Sequence, residues 1–161
     1  MRADFEVTLE DLRQEVVQEY GVNPKKKTLP PDVKRWVELI HEHLTSEELT
    51  IGWLMEQTHF NEKTARRFRF ISGSYPKSYI TRLRVVLACK LLDCEAYDIT
   101  SAALATGFSD RSTLSKAYKK HFGMNLSESL KKKQKKGEDK NSHDFSQNNS
   151  RIDIFITFTW R

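Results

Sequence analysis

The chain contains an internal repeat, and that repeat restricts its fold more than any other feature. Residues 50–62 (TIGWLMEQTHFNE) lie over residues 98–110 (DITSAALATGFSD) at an offset of 48. Ile51 meets Ile99, Thr58 meets Thr106, Phe60 meets Phe108 and Asn61 meets Ser109. Further on the offset becomes 50, and Phe68, Arg69 and Gly73 match Tyr118, Lys119 and Gly123. Each copy reads as a short helix, a tight turn holding a phenylalanine, an N-cap residue, a basic helix and a glycine. That order is a helix-turn-helix. Two copies are too few to stack as a solenoid. The expected fold is therefore all-α, with two helix-turn-helix subdomains joined by a long central helix.

The apolar spacing around the repeat supports this. Residues 8–20 (TLEDLRQEVVQEY) predict a helix, with Leu9, Leu12 and Val16 at spacings of three and four and a capping-box start at Thr8 and Asp11. Residues 22–32 carry three prolines and a lysine triplet and predict a linker. Seven helices follow, at about 33–44, 50–57, 61–72, 77–93, 98–105, 109–121 and 127–133. The organisation expected is an N-terminal helix and linker over 1–32, a helical domain over 33–133 and a disordered tail over 134–161. Within the domain, the first helix-turn-helix covers about 50–73, the linker helix about 77–93 and the second helix-turn-helix about 98–121. Residues 151–161 (RIDIFITFTWR) alternate like a strand that has no partner strand, and no function is assigned to them.

Composition narrows the class of activity. The 161 residues include 27 Lys and Arg against 22 Asp and Glu, a net charge of +5 that favours an acidic partner. No apolar run approaches the ~20 residues of a membrane span, and the N-terminus lacks a signal peptide, so a cytoplasmic location is expected. Two cysteines exclude a disulfide scaffold and a four-cysteine zinc site. The six glycines form no phosphate-cradling cluster. No nucleophile, base and acid fall in a turn that would expose them, so an enzyme, a cofactor and a metal are not expected.

Both basic helices carry the same excess. Residues 61–72 hold Lys63, Arg66, Arg67 and Arg69 against Glu62, and residues 110–121 hold Arg111, Lys116, Lys119 and Lys120 against Asp110, each +3. Basic side chains there can bond guanine edges or neutralise phosphates, and the short Ser112 and Thr113 let a backbone approach the bases. A single basic helix is more often a solvated face. Two of them, each behind a phenylalanine-containing turn, point to groove reading instead. In the second turn Gly107 allows a left-handed residue, Phe108 anchors the turn and Ser109 is expected to cap the next helix.

These residues resemble the DNA-binding domain of AraC/XylS-type transcriptional regulators. Residues 107–123 (GFSDRSTLSKAYKKHFG) are similar to that family's second helix-turn-helix signature. Residues 79–92 (YITRLRVVLACKLL) resemble its linker helix, with Tyr79, Leu83, Arg84, Ala88 and Leu92 in the expected places. The resemblance covers roughly 33–130 and implies two recognition helices in successive major-groove segments of double-stranded DNA. It also implies activation or repression of transcription, often through contact with RNA polymerase. Carried over, it points to Lys63, Arg66 and Arg67 as readers in the first helix, and to Arg111, Ser112, Thr113 and Lys116 in the second. Arg69, Lys119 and Lys120, nearer the helix ends, are expected at phosphates. The sequence departs from the family at His59, where glycine is common, and at Leu126 and Ser129, where proline and tyrosine are usual. The upstream equivalents, Pro76 and Tyr79, are intact.

Other features are expected to be structural. Cys89 and Cys94 fall on different faces of one helix, as do His41 and His43, so neither pair can share a metal. Trp36 and Trp53 occupy apolar helix positions, and His121 lies where it can complement a helix dipole. About 30 residues precede the helical domain, too few for the effector-binding domain common in the family, so a stand-alone regulator without a small-molecule pocket is expected. Its monomer would suffice to bind DNA, with residues 1–28 forming a packing or dimerising helix or a passive arm. The alternative is a helical protein-interaction module that binds an acidic protein. That reading requires apolar anchors on the exposed faces of the second helices.

Overall fold

Eight α-helices and no strand are found among the residues that the computed structural model describes, 7–26, 28–94 and 96–138. They are α1 (Leu9–Tyr20), α2 (Pro31–Glu42), α3 (Ile51–Thr58), α4 (Glu62–Ser72), α5 (Pro76–Asp93), α6 (Ile99–Ala105), α7 (Arg111–Phe122) and α8 (Leu126–Glu138). The chain divides into two units, Met1–Ala117 and Tyr118–Arg161, with the boundary inside α7. The alternating segment 151–161 and the rest of the expected tail from 139 onward lie outside the described residues.

Helix starts follow local chemistry. At α1 the Thr8 hydroxyl accepts the Asp11 N–H at 3.2 Å while the Asp11 carboxylate accepts the Thr8 N–H at 2.9 Å, closing the expected capping box. The sequence places Pro30 and Pro31 in a linker, but they open α2, with Pro30 as N-cap and Pro31 in the first turn. Proline suits that position because its missing N–H has no helical partner there and its φ is already near the helical value. Pro76 opens α5 in the same way.

The core of the first unit is built around three fully buried aromatic residues, Trp36, Phe68 and Tyr79. Ring centroids lie 6.4 Å apart for Trp36 and Phe68, and 5.1 Å apart, edge to face, for Phe68 and Tyr79. The Trp36 indole N–H donates to the Thr58 hydroxyl at 2.9 Å. One cluster thus ties α2, α3, α4 and α5, and burial of each such side chain contributes about 1.5–3 kcal/mol. Every residue of α5 from 83 to 89 is buried, because α1, α4 and α6 all pack against this helix. At 1.5 Å per residue α5 is about 27 Å long.

The N-terminal segment is part of this packing. Leu12 and Val16 of α1 are buried, Lys90 of α5 reaches Glu15 at 2.6 Å and Glu19 at 3.4 Å, and the Arg13 guanidinium donates to the His41 carbonyl. Below them the His41 imidazole Nε2 lies 2.7 Å from the Tyr79 hydroxyl, whose oxygen also accepts the Val22 N–H at 2.8 Å. Burial pushes the His41 pKa down to about 4 and that of Tyr79 up to about 12.

In the second unit α8 runs to Glu138, five residues past its expected end. The Tyr118 hydroxyl donates to the Ser129 hydroxyl at 3.0 Å, and the Tyr118 and Phe122 rings lie 4.7 Å apart. These positions repeat Phe68 and Tyr79 of the upstream copy at an offset of 50. An edge-to-face ring pair there becomes a hydroxyl–hydroxyl bond here, which gives the unusual Ser129 its structural role.

Candidate nucleic-acid interface

The two copies of the repeat use the same local devices. In α3 the Thr58 hydroxyl donates to the Leu54 carbonyl at 2.6 Å, and in α6 Thr106 donates to the Ala102 carbonyl at 2.8 Å. Each first helix then ends in a left-handed residue: His59 at φ 55° in one copy, Gly107 at φ 80° in the other. His59 therefore adopts the conformation for which the family favours glycine. The next helix starts on a side-chain cap. Asn61 accepts the Lys63 N–H at 2.9 Å, and Asp110 accepts the Thr113 N–H at 2.7 Å. The downstream cap is thus Asp110, not Ser109 as expected from the offset of 48. One extra residue in the second turn moves the cap to Asp110, whose carboxylate meets the N–H three residues on, an ordinary N-cap geometry. The Thr113 N–H holds the Asp110 carboxyl below the usual carboxylate range.

Helix α4 buries Thr64 and Phe68 and exposes Lys63, Arg66, Arg67, Arg69 and Phe70. Two of its arginines are held. The Arg67 Nη2 lies 2.7 Å from Asp32 of α2, a carboxylate that also accepts the Thr64 hydroxyl at 2.9 Å. The Arg69 guanidinium lies 4.7 Å from the centroid of the Tyr75 ring and donates to its hydroxyl at 3.2 Å. Arg66 and Glu62 approach to 3.7 Å with both side chains mostly in solvent, a pair worth little. Helix α7 buries Leu114 and exposes Arg111, Ser112, Thr113, Lys116, Lys119 and Lys120. The Thr113 hydroxyl lies 3.1 Å from Asp110, so it helps hold the cap. Every residue expected at DNA is solvent-facing, with Lys63, Arg66, Ser112, Thr113 and Lys116 well away from the buried face and Arg67 and Arg111 along its margin.

Residues 54–132, from within α3 to within α8, match a family model described as a helix-turn-helix domain. The chain carries an AraC-type DNA-binding domain. Regulation of transcription through DNA binding is the activity of that class. Comparison with curated proteins and with solved structures gives no match.

Within this AraC-type domain one buried arginine has a role that sequence reasoning did not supply. Arg84, on α5, donates to the carbonyls of Leu44 at 2.9 Å and Ser46 at 2.5 Å. Its guanidinium also lies against Gly107, where an added Cβ would come within 3.0 Å of it. Arg84 therefore links the segment after α2 to the turn of the second helix-turn-helix. The signal in the sequence was an arginine set between the apolar residues Leu83 and Val85 of the long helix.

Phe70 was missed for the opposite reason. A phenylalanine beside the core residue Phe68 suggests burial, yet Phe70 is 91% exposed. Its signal was position, seven residues after Lys63 and so on the basic face. Cys89 is buried, Cys94 is half-buried at the end of α5, Trp36 is buried and Trp53 is half-buried, 4.9 Å from the His43 ring. Among the described residues no helix is long and apolar enough to cross a membrane, and no His, Cys, Asp and Glu cluster could hold a metal.

Proposed function

We propose that α4 and α7 are the two recognition helices of this domain, each entering a major-groove segment of one stretch of double-stranded DNA. The observation that carries the reading is the repetition: each copy places a basic helix, +3 with its cap residue included, behind a capped, left-handed turn. Lys63 and Arg66, the latter only loosely paired with Glu62, are the readers of α4 that no other helix holds. Arg67, fixed in direction by Asp32, meets a base edge or the backbone nearby. Arg111, Ser112, Thr113 and Lys116 read the second segment from the first turns of α7. Arg69, held on Tyr75, and Lys119 and Lys120 neutralise phosphates. One chain reads both segments without a dimer, α5 sets their spacing, and RNA polymerase is the partner through which binding acts on transcription.

Selection from a random DNA pool tests this. A bipartite motif is expected, with affinity falling by orders of magnitude between about 50 and 200 mM salt. Arg111→Ala is expected to cost about 1–3 kcal/mol on the best site and to relax preference at particular base pairs. Lys119→Ala and Lys120→Ala are expected to weaken all sequences alike. An unchanged motif for Arg111→Ala removes that residue from the readers.

One observation favours the second reading, a module that binds an acidic protein. Exposed Phe70 is an apolar anchor of the kind that reading needs. The equivalent helix α7 exposes no comparable residue in its first turns. Retention of an acidic protein, but not of DNA fragments, in a gel-shift would favour this alternative.

A further inference from the structure

We infer that Phe70 is a specificity residue of α4, packing on the C5-methyl group of a thymine in the major groove. The inference rests on α4 being a recognition helix, as proposed above. Arg66 and Arg67 each lie three or four residues from both Lys63 and Phe70, so the four share one stripe along the helix. The stripe extends about 10 Å, or about three base-pair steps. It lies away from Thr64 and Phe68, which are buried. Along this stripe Arg67 is drawn to Asp32, while beside it Arg69 is drawn onto Tyr75, and neither covers the Phe70 ring. A phenylalanine 91% exposed on such a face forgoes the burial that this side chain ordinarily gains.

The surroundings select the occupant. Phe70 shares its helix with four basic side chains and one acidic one, so the covering surface is anionic overall with an apolar spot. The major groove offers that combination: flanking phosphates, and a methyl group wherever thymine occurs. Ile71, 36% exposed, is one residue further around the helix and does not extend the ring into a broad patch. A single projecting ring suits a single methyl group better than it suits the clustered pockets of a protein interface. At an offset of 50 the downstream copy has Lys120 in this place, so the thymine contact belongs to one half-site alone.

The test uses the full chain and a site enriched from a random pool. Each thymine is replaced singly by uracil, which removes the methyl group and keeps every hydrogen-bonding group. At one thymine in the α4 half-site, wild type is expected to lose about fourfold in affinity, the equivalent of ~0.8 kcal/mol for one buried methyl(ene). Phe70→Ala is expected to lose about tenfold on the parent site and to show no further loss at that uracil. Its thermal melt should match wild type, because the ring is exposed. An enriched site at which no uracil matters overturns the inference alone, as does a Phe70→Ala protein that keeps its uracil sensitivity. DNA binding unchanged by Phe70→Ala, with loss of transcription activation in a purified system, assigns the ring to a protein surface and overturns it too. A pool from which nothing is enriched overturns the recognition-helix reading and this inference with it.

Discussion

Mild acid should loosen the joint that holds α2 to α5, and His41 should be the residue responsible. The imidazole is 8% exposed and its Nε2 lies 2.7 Å from the Tyr79 hydroxyl, which takes the Val22 N–H on its oxygen. With the Val22 N–H already on its oxygen, the tyrosine hydroxyl is best placed to donate to a neutral Nε2; a protonated ring would have to give up that acceptor role in a dry site beside the Arg13 guanidinium. Burial first, and Arg13 second, lower the pKa from 6.5 to about 4. Above pH 6.5 the folded and unfolded chains both hold a neutral ring, and the stability is intact. As the pH falls below 6.5 the unfolded chain binds a proton that the folded chain refuses, so stability is lost until the pH passes about 4. The full loss is ~3 kcal/mol, of which ~2 kcal/mol has gone by pH 5. The carboxylates held low, among them Glu10 at about 2 through its bond from Arg13, act at lower pH than this. Urea unfolding followed by tryptophan fluorescence from pH 7 to pH 4.5 measures the effect. His41→Gln keeps a polar group for Tyr79 without titrating, and its stability should vary far less across that window. A wild-type stability flat from pH 7 to pH 5, or a His41→Gln protein with the wild-type slope, refutes the reasoning.

The two turns should respond oppositely to glycine chemistry. Gly107→Ala places a Cβ at φ 80° and within 3.0 Å of the Arg84 guanidinium, so it should destabilise by about 2 kcal/mol in a thermal or urea melt. His59→Gly removes a side chain from φ 55° and should stabilise by about 0.5 kcal/mol after the extra chain entropy of glycine is deducted. At the start of α7, Asp110→Ala should cost about 1 kcal/mol and Ser109→Ala much less than that, because the Thr113 N–H bonds to Asp110. Equal losses for the two would restore Ser109 as the cap.

Much of this architecture was legible because it is written twice. Helices α3, α4, α6 and α7 each had a counterpart 48 to 50 residues away, and two weak local signals agreed. The long α5 was legible from its apolar stripe. What could not be read depends on three-dimensional neighbours. The docking of α1 rests on Lys90 with Glu15 and Glu19, and on Arg13 with the His41 carbonyl, pairs 28 to 75 residues apart that no local pattern announces. The prolines at 30 and 31 are breakers by composition and helix starters by position, and only the packing of Val33, Trp36 and Val37 decides between these. At the interface the basic residues were legible as charge. That Arg67 is tied to Asp32 and Arg69 to Tyr75 was not, and neither was the exposure of Phe70 beside buried Phe68.

The central claim is that one chain reads two groove segments at a spacing fixed by α5. Eighteen helical residues separate the two helix-turn-helix units, a stiff spacer of about 27 Å. The direct measurement is the affinity of the purified chain for its enriched site before and after five base pairs are inserted between the half-sites. Such an insertion turns one half-site by about half a helical turn, to the opposite face of the DNA. Binding is expected to fall to the level of a single half-site, and Leu87→Pro, which breaks a buried turn of α5, is expected to weaken binding to the uninterrupted site in the same way. Binding to the interrupted site as tight as to the parent would contradict the account.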